Sequence, residues 1–588
     1  ANPEVPYDGL DQDCSGDDLI DVDGDGANGL LAAGDDCDDD DPSRFPANPE
    51  VPYDGLDQDC SGDDLIDVDG DGANGLLAAG DDCDDDDPTR SPLHQEICGD
   101  GIDQDCDSAP AGCGWYGVIS ATASDLEIVG EHGGDELGFA LLGDADLDLD
   151  GRTEFAVGAP GGDAGRGKVF VWSLDELPSG LVTADDGAPL VLRGRPDGRA
   201  GTALAALDHD GNGVFDLAVS APETSAMSET VGEIYRHPGH LSGVRQLSQA
   251  ASVGGTVVTG SGYVHRIGYQ LASGDLMGTG ERPLYALKHG IDTCELFHIF
   301  AEGFVLSTIQ VLLSPTNGAP VYGYSCDPMY AVVALTTGRD VGGTSADELA
   351  LVVTDWFTDH RSIFIVSEPP NTHMSELRTP VLPTRIKRLS VGLAAVTGYA
   401  DQGEALALIP TMTGSPSGSD LVVGLPCATA NCSDGGQMWL VPGDFDAWPD
   451  TMDIHDVVPD LGGAQLNPIA LDERLGSAVA SPGDVNGDGH PDLLVGSSGR
   501  NFNAGAVYLL YGPLPSGEWS VSQVGTAELP GARIDGVTFA GQLGLKAAAL
   551  GDVNEDGYDD FALAAPKAPS LSGEADAGRV YVFFGRGE

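Results

Sequence analysis

The stretch GDVNGDGHPDLLVG, residues 483–496, places Asp484, Asn486, Asp488 and Asp492 at relative positions 1, 3, 5 and 9. Side-chain oxygens at that spacing, on a loop turned by Gly487 and Gly489, can wrap one hard cation, with His490 at position 7 offering its carbonyl. Calcium suits such a set, because it takes roughly six to eight oxygens in flexible geometry. The frame recurs in DLDLDGRTEFAVGAP with Asp146, Asp148, Asp150, Arg152 and Glu154, and in DHDGNGVFDLAVSAP with Asp208, Asp210, Asn212, Val214 and Asp216. It returns in DVNEDGYDDFALAAP with Asp552, Asn554, Asp556, Tyr558 and Asp560. Arg152, Val214 and Tyr558 again stand at position 7, where only the carbonyl serves.

These loops need strands on both sides. After each comes a short apolar run such as LLVG, which reads as a buried strand. RLGSAVASPGD precedes the loop at 484, and GAVYLLYG follows as another strand. One unit is therefore strand, cation loop, strand, turn, strand. The frame decays in the middle of the chain. In LASGDLMGTGERPLYALKHG, Met277, Thr279 and Pro283 fall where ligands belong after Asp275. TTGRDVGGTSADELALVV keeps the strand after Asp347, and SGSDLVVGLP keeps only Asp420 and its strand. These read as three units without calcium.

The units resemble FG-GAP repeats, the blades of the integrin α-subunit β-propeller. Leu137-Gly138-Phe139 and Leu475-Gly476 match the family's Phe-Gly, and Ala159-Pro160, Ala221-Pro222 and Ala565-Pro566 match its Gly-Ala-Pro. The resemblance covers residues 115–588 and implies seven blades, beginning near 138, 201, 268, 331, 391, 474 and 543. The chain stops at GRVYVFFGRGE, one strand short of a unit, and ASDLEIVGE at 123–131 can supply that strand. A ring fastened from both termini leaves no open edge. The expected fold is all-β: a seven-bladed β-propeller closed by N- and C-terminal strands, preceded by a loop-rich, metal- and disulfide-stabilised tandem-repeat stalk.

That stalk is residues 1–46 and 47–92, whose first 42 positions are identical, followed by a partial capping copy at 93–114. Each full copy has fifteen acids and one Arg, and too few apolar residues to build a core. Carboxylates alternate in three sets per copy: Asp8, Asp11 and Asp13; Asp21, Asp23 and Asp25; Asp36, Asp38 and Asp40. The second copy has Asp54, Asp57 and Asp59; Asp67, Asp69 and Asp71; Asp82, Asp84 and Asp86, and the partial copy has Asp100, Asp103 and Asp105. Metal is one support for such a module. Disulfides are the other.

Cys14, Cys37, Cys60, Cys83 and Cys106 stand 23 residues apart, which allows two pairing registers. Cys14–Cys37 with Cys60–Cys83 strands one of Cys98, Cys106 and Cys113. Parity favours Cys37–Cys60, Cys83–Cys106 and Cys98–Cys113, leaving Cys14 to a partner upstream of Ala1, as in a chain cut from a longer array. In the propeller, Cys294–Cys326 and Cys427–Cys432 are further candidate pairs. This array resembles the MopE-type metal-binding motif of bacterial surface proteins through DCDDDDPSRFPANPEVPYDGLDQDCSG, 36–62, and thrombospondin type 3 calcium repeats through Asp21–Gly26. The first family's name implies copper. Residues 1–92 contain no His, Met or Trp, so with oxidised Cys only oxygen ligands remain, and these favour calcium or magnesium.

Composition narrows the functions. Against 26 basic residues stand 96 acidic ones, a net charge of −70, which argues against nucleic acid or anionic membranes as direct partners. No apolar run reaches the roughly 18 residues of a membrane span, and eleven Cys point to an oxidising, extracellular or cell-surface setting, secreted and bacterial by resemblance. No HExxH, GxSxG or phosphate-binding loop is present. The carboxylate spacing fits ligation rather than acid–base catalysis. The expectation is a non-enzymatic, calcium-binding surface protein, with a propeller head for adhesion or assembly that takes a protein or glycan ligand. Trp356, Phe357, His360 and Arg361 are candidate contact residues. Two alternatives stand beside it: a filament subunit whose propeller docks on neighbouring repeats, and the propeller of a polysaccharide-processing enzyme.

Overall fold

The computed structural model describes residues 3–14, 16–92, 94, 104, 106, 114–147, 152–173, 180–208, 214–226, 229–238, 243–253, 255–259, 266–274, 284–289, 295–299, 306–310, 330–339, 347–355, 360–367, 385–393, 405–414, 419–426, 435–443, 448–449 and 451–587. Among these residues the chain is all-β with a few short helical turns. It divides into two compact units, Ala1–Gly112 and Cys113–Gly587. The candidate pairs Cys98–Cys113, Cys294–Cys326 and Cys427–Cys432 lie outside the described residues, as do Asp100, Asp103, Asp105, Asp148, Asp150, Asp210, Asn212, Trp356 and Phe357.

The second unit holds seven sheets of four or five strands among the described residues, besides a two-stranded pairing of Ser225–Ala226 with Glu229–Thr230. In the first sheet Ala140–Ala145, Glu154–Ala159, Lys168–Ser173 and Leu190–Arg193 pair antiparallel in that order. The other sheets open at Leu204–Leu207, Arg266–Ser273, Tyr330–Arg339, Ala405–Pro410, Leu475–Gly483 and Lys546–Gly551. In the seventh, Leu126–Val129 pairs antiparallel with Arg579–Phe583. Five sheets gain a further parallel strand at the outer edge, such as Gly243–Gln246 beside Leu190–Arg193 and Gly517–Ser520 beside Ala464–Asn467. The first strand of each sheet touches that of the next, and the first strand of the seventh touches those of the sixth and the first.

One expected boundary moves. The unit placed near 391 begins instead at Ala405, because Arg385–Leu393 is a single strand paired along its length with His360–Ser367 of the fourth sheet. Val391-Gly392-Leu393 is the end of that strand.

The second strands are buried throughout: Glu154–Ala159, Ser419–Leu425, Asp492–Ser497 and Asp560–Ala565. A strand covered on both faces needs a continuous apolar run rather than alternation. The cores lie between neighbouring sheets. Phe155, Phe170 and Trp172 of the first pack with Leu550, Ala562 and Val580 of the seventh, and Val422 and Met438 of the fifth with Leu493 and Tyr508 of the sixth. Each large side chain so buried contributes roughly 1.5–3 kcal/mol.

Glycines let the sheets approach. Gly201, Gly476 and Gly544 enter first strands at φ of 87°, 88° and 82°. A Cβ on their second-strand neighbours Gly158, Gly424 and Gly496 would lie 2.0–2.2 Å from the carbonyl oxygens of Gly201, Gly476 and Gly544. The Phe-Gly position is thus a backbone-to-backbone contact that no side chain fits.

Among the described residues the first unit contains two 3-10 turns, Leu30–Ala32 and Leu76–Ala78, each with a parallel bridge beside it, Gly29 to Asp36 and Gly75 to Asp82. Leu31 and Leu77 are more than four-fifths exposed, so these turns bury no apolar core. Disulfides Cys37–Cys60 and Cys83–Cys106 cross-link it, and Cys14 is free and exposed. The first of them is flanked by Arg44, whose Nε donates to the Asp57 carbonyl at 3.2 Å, and by the Phe45 N–H on the Gln58 carbonyl at 2.9 Å.

Candidate metal centres

The loop at 484–492 closes on its own carboxylates. Asp484 Oδ1 accepts the N–H groups of Gly487 at 2.8 Å and Asp488 at 3.1 Å, and its Oδ2 accepts Gly489 N–H at 2.8 Å. Asp488 Oδ1 accepts His490 N–H at 2.8 Å. Asp492, at the start of its strand and fully buried, accepts Val485 N–H at 2.8 Å and Gly512 N–H at 3.0 Å. Burial, with the charges of Asp488 and Asp484 adding to it, pushes Asp492 up to about 8 against those two N–H groups. A cation beside a carboxylate so placed favours its ionised form.

The loop at 552–560 repeats this. Asp552 takes the N–H groups of Asp556 and Gly557 at 3.0 and 2.9 Å, and Tyr558 N–H donates to Asp556 at 3.0 Å. Asp560 takes Val553 N–H at 2.8 Å and Gly585 N–H at 2.6 Å. Burial first, then Asp556 and Asp552, push Asp560 up to about 7. In the first sheet Glu154 stands in for this aspartate and accepts Leu147 N–H at 2.5 Å, in the loop that begins at Asp146. In the second sheet Asp208 is buried, but Asp216 pairs with Arg236 at 2.8 Å, so its loop already holds one positive charge.

These loops neighbour one another. The Arg152 guanidinium reaches Glu555 at 3.0 Å, Asp484 N–H donates to Asp559 Oδ2 at 2.8 Å, and Asp559 N–H donates to the Asp484 carbonyl at 3.0 Å.

Asp420 explains the loop read as lacking calcium. It occupies the same start-of-strand place, fully buried, but its oxygens take Met412 N–H, Thr413 N–H and Gly443 N–H at 2.8–2.9 Å and the hydroxyls of Thr411 and Thr413 at 3.2 and 2.9 Å. Protein donors take the Asp420 oxygens that a cation would otherwise use.

The repeats assemble a different cluster from the one their alternation suggests. Asp21 caps the Asp21–Gly26 turn, accepting Gly24 N–H at 2.7 Å and Gly26 N–H at 3.1 Å. Ligand oxygens of Asp21, Asp23 and Asp39, and of Asp23, Asp25 and Asp36, each lie within 4.8 Å of one another. Asp36 is 1 % exposed. Its Oδ2, with Oδ2 of Asp23, Asp25 and Asp39, is buried without a hydrogen-bond partner. Burial, then the charges of Asp25, Asp36 and Asp21, raise Asp23, opposed by the Asp25 N–H. The same orphaned oxygens recur in Asp69, Asp82 and Asp85, while Asp71 Oδ2 lies 3.5 Å from His94 Nδ1, and Asp67 caps its turn as Asp21 does. Such oxygens fit a hard divalent cation.

Asp38 and Asp40, with Asp84 and Asp86, do not join. Asp38 pairs with Arg44 and Asp84 with Arg90, while Asp40 and Asp86 are exposed. A turn, Asp41 N–H onto the Asp38 carbonyl at 2.8 Å, breaks the alternation and presents Asp39 instead, which also accepts Val22 N–H at 3.0 Å. In the first set, Asp11 and Asp13 group with Glu4, which sequence reasoning missed. Asp8 and Asp54 serve turns, accepting Leu10 N–H at 2.9 Å and Leu56 N–H at 2.8 Å. Asp57 caps Ser61 and Gly62, and Asp59 N–H donates to Glu50 at 2.7 Å. Glu4 and Glu50 could have been found from their fixed offset in both copies.

Family comparison agrees with this division. An FG-GAP repeat model matches residues 137–172, 475–510 and 546–583, and the MopE-type metal-binding motif matches 1–18, 36–64 and 82–109. The chain carries FG-GAP repeats behind MopE-type metal-binding motifs. The FG-GAP matches contain three of the four cation loops, and the Asp21–Gly26 turn falls between MopE-type matches. Relatives include integrin alpha-PS2 of Drosophila melanogaster, 35 % identical over 126 residues, 20 % of this chain and 8 % of that protein. Integrin alpha-IIb of Mus musculus is 36 % identical over 113 residues, 18 % of this chain and 10 % of that one. Human phosphatidylinositol-glycan-specific phospholipase D is 34 % identical over 156 residues, 25 % of this chain and 18 % of that one. The chain spans less than a fifth of the length of these curated relatives. No helix among the described residues is long and apolar enough to cross a membrane.

Proposed function

We propose that this is a calcium-binding extracellular surface protein, in which acidic repeats stiffened by divalent ions form a stalk and a seven-bladed propeller forms a head for adhesion or assembly. The ring is supported by the succession of first-strand contacts, which returns from the seventh sheet to the first, and by the pairing of Leu126–Val129 with Arg579–Phe583. The surface setting is supported by the integrin relatives and the disulfides. The observation that carries the cation reading is the set of buried carboxylate oxygens without protein partners in both repeats. Calcium is the ion these all-oxygen sets suit. Binding a protein or glycan ligand, or neighbouring copies, is the role that follows for the head. Elemental analysis of the desalted full chain tests the cation reading: several tightly held calcium ions are expected, and a chain that emerges metal-free and still folded contradicts it.

A second reading has this chain as an enzyme built on the propeller, favoured by the match to a phospholipase D. Hydrolysis of glycan or phosphodiester substrates by the full chain would support it, and inactivity across both classes would remove it.

A further inference from the structure

The two full repeats differ only at their trailing ends, and the difference falls on one carboxylate cluster. Ser91, near the end of the second copy, and His94, just past it, stand where Phe45 and Asn48 stand at and just past the end of the first. His94 Nδ1 lies 2.9 Å from Ser91 Oγ and 3.5 Å from Asp71 Oδ2. The Asp71 side chain is 2 % exposed. Asp71 copies Asp25, whose ligand oxygen shares a 4.8 Å neighbourhood with those of Asp23 and Asp36. The copies of those two, Asp69 and Asp82, each keep a buried Oδ2 without a hydrogen-bond partner, and Asp82 is 1 % exposed. In the first repeat the Asn48 amide turns away to the Ser43 carbonyl.

We propose that His94 joins Asp69, Asp71 and Asp82 in a mixed nitrogen–oxygen site that takes a borderline dication of the zinc class, while the first repeat stays an all-oxygen site for hard ions. The proposal rests on the reading of the repeats as cation sites and adds a metal preference to one of them. Imidazole is a good ligand for zinc, whereas calcium selects oxygen. Two ligand atoms on a tetrahedral zinc, with bonds near 2.1 Å, stand about 3.4 Å apart. The 3.5 Å between Nδ1 and Asp71 Oδ2 matches that edge. Ser91 Oγ, 2.9 Å from Nδ1, also hydrogen-bonds Asp71, so it links the ring to the carboxylate with which it would share a metal ion.

Titrating Zn²⁺ into the disulfide-intact full chain in excess Ca²⁺, by calorimetry, tests this. One zinc event is expected to survive calcium. H94N, which installs the first repeat's residue, should weaken that event at least about tenfold while leaving the number of bound calcium ions unchanged. F45S/N48H, the reverse exchange in the first repeat, should add a second zinc event. Zinc binding indifferent to H94N overturns the proposal, as does a doubly substituted first repeat that gains none. Loss of calcium binding in the unsubstituted chain would instead defeat the wider cation reading, so the two failures are distinguishable.

Discussion

Asp492 and Asp420 start equivalent strands and are spent differently. Both are fully buried and both accept an N–H from beyond the third strand, Gly512 for one and Gly443 for the other. Asp420 is then satisfied by three further donor residues, whereas Asp492 faces Asp484 and Asp488. Asp420→Ala strands several buried donors at about 1–3 kcal/mol each. It should destabilise the second unit by about 3 kcal/mol or more, equally in calcium and in chelator. Asp492→Ala should cost most of its stability only in calcium. Urea unfolding of both variants with and without EDTA separates the two cases. The raised carboxyls of Asp492 and Asp560 also set a pH dependence. Their folded values of about 8 and about 7 exceed the ordinary 3.8, so in chelator they favour the folded state below pH 4 and lose that contribution as pH rises through 7 to 8. The chelated protein should therefore unfold at lower urea at pH 8.5 than at pH 5.5, and calcium should flatten that difference. The turns that the loop carboxylates cap were legible in the sequence because those hydrogen bonds are local, within nine positions. Asp39 and Glu4 were not, since a turn chooses the first and a chain reversal brings in the second.

At the scale of elements, the glycine pairs decide how closely sheets stack. Gly496→Val drives a side chain into the Gly544 carbonyl, 2.0 Å from an added Cβ. The misfit should cost several kcal/mol, at or beyond the usual overpacking range of about 1–3 kcal/mol. A large fall in the thermal midpoint of the second unit is expected, and an unchanged midpoint would refute the contact. In the first unit the cross-links replace a core. Removing Cys37–Cys60 with C37S/C60S frees a 23-residue loop and should cost about 3 kcal/mol of that unit's stability, while the midpoint of the second unit stays put. Strands were legible wherever a cation loop preceded an apolar run. The boundary near 391 moved because pairing with His360–Ser367, a non-local contact, carries the nine-residue strand Arg385–Leu393 into the fourth sheet.

The whole molecule carries a net charge of −70. Repulsion on that scale opposes compaction unless counter-charge is bound. Both units hold carboxylates on backbone N–H groups of tight turns. Each ion held at a hundredfold excess over its dissociation constant adds about 2.7 kcal/mol. The direct test is differential scanning calorimetry of the full chain at pH 8, in millimolar calcium and again in EDTA. The account predicts endotherms for both units that move down by many degrees on chelation and return when calcium is restored. Superimposable scans in the two conditions would contradict it.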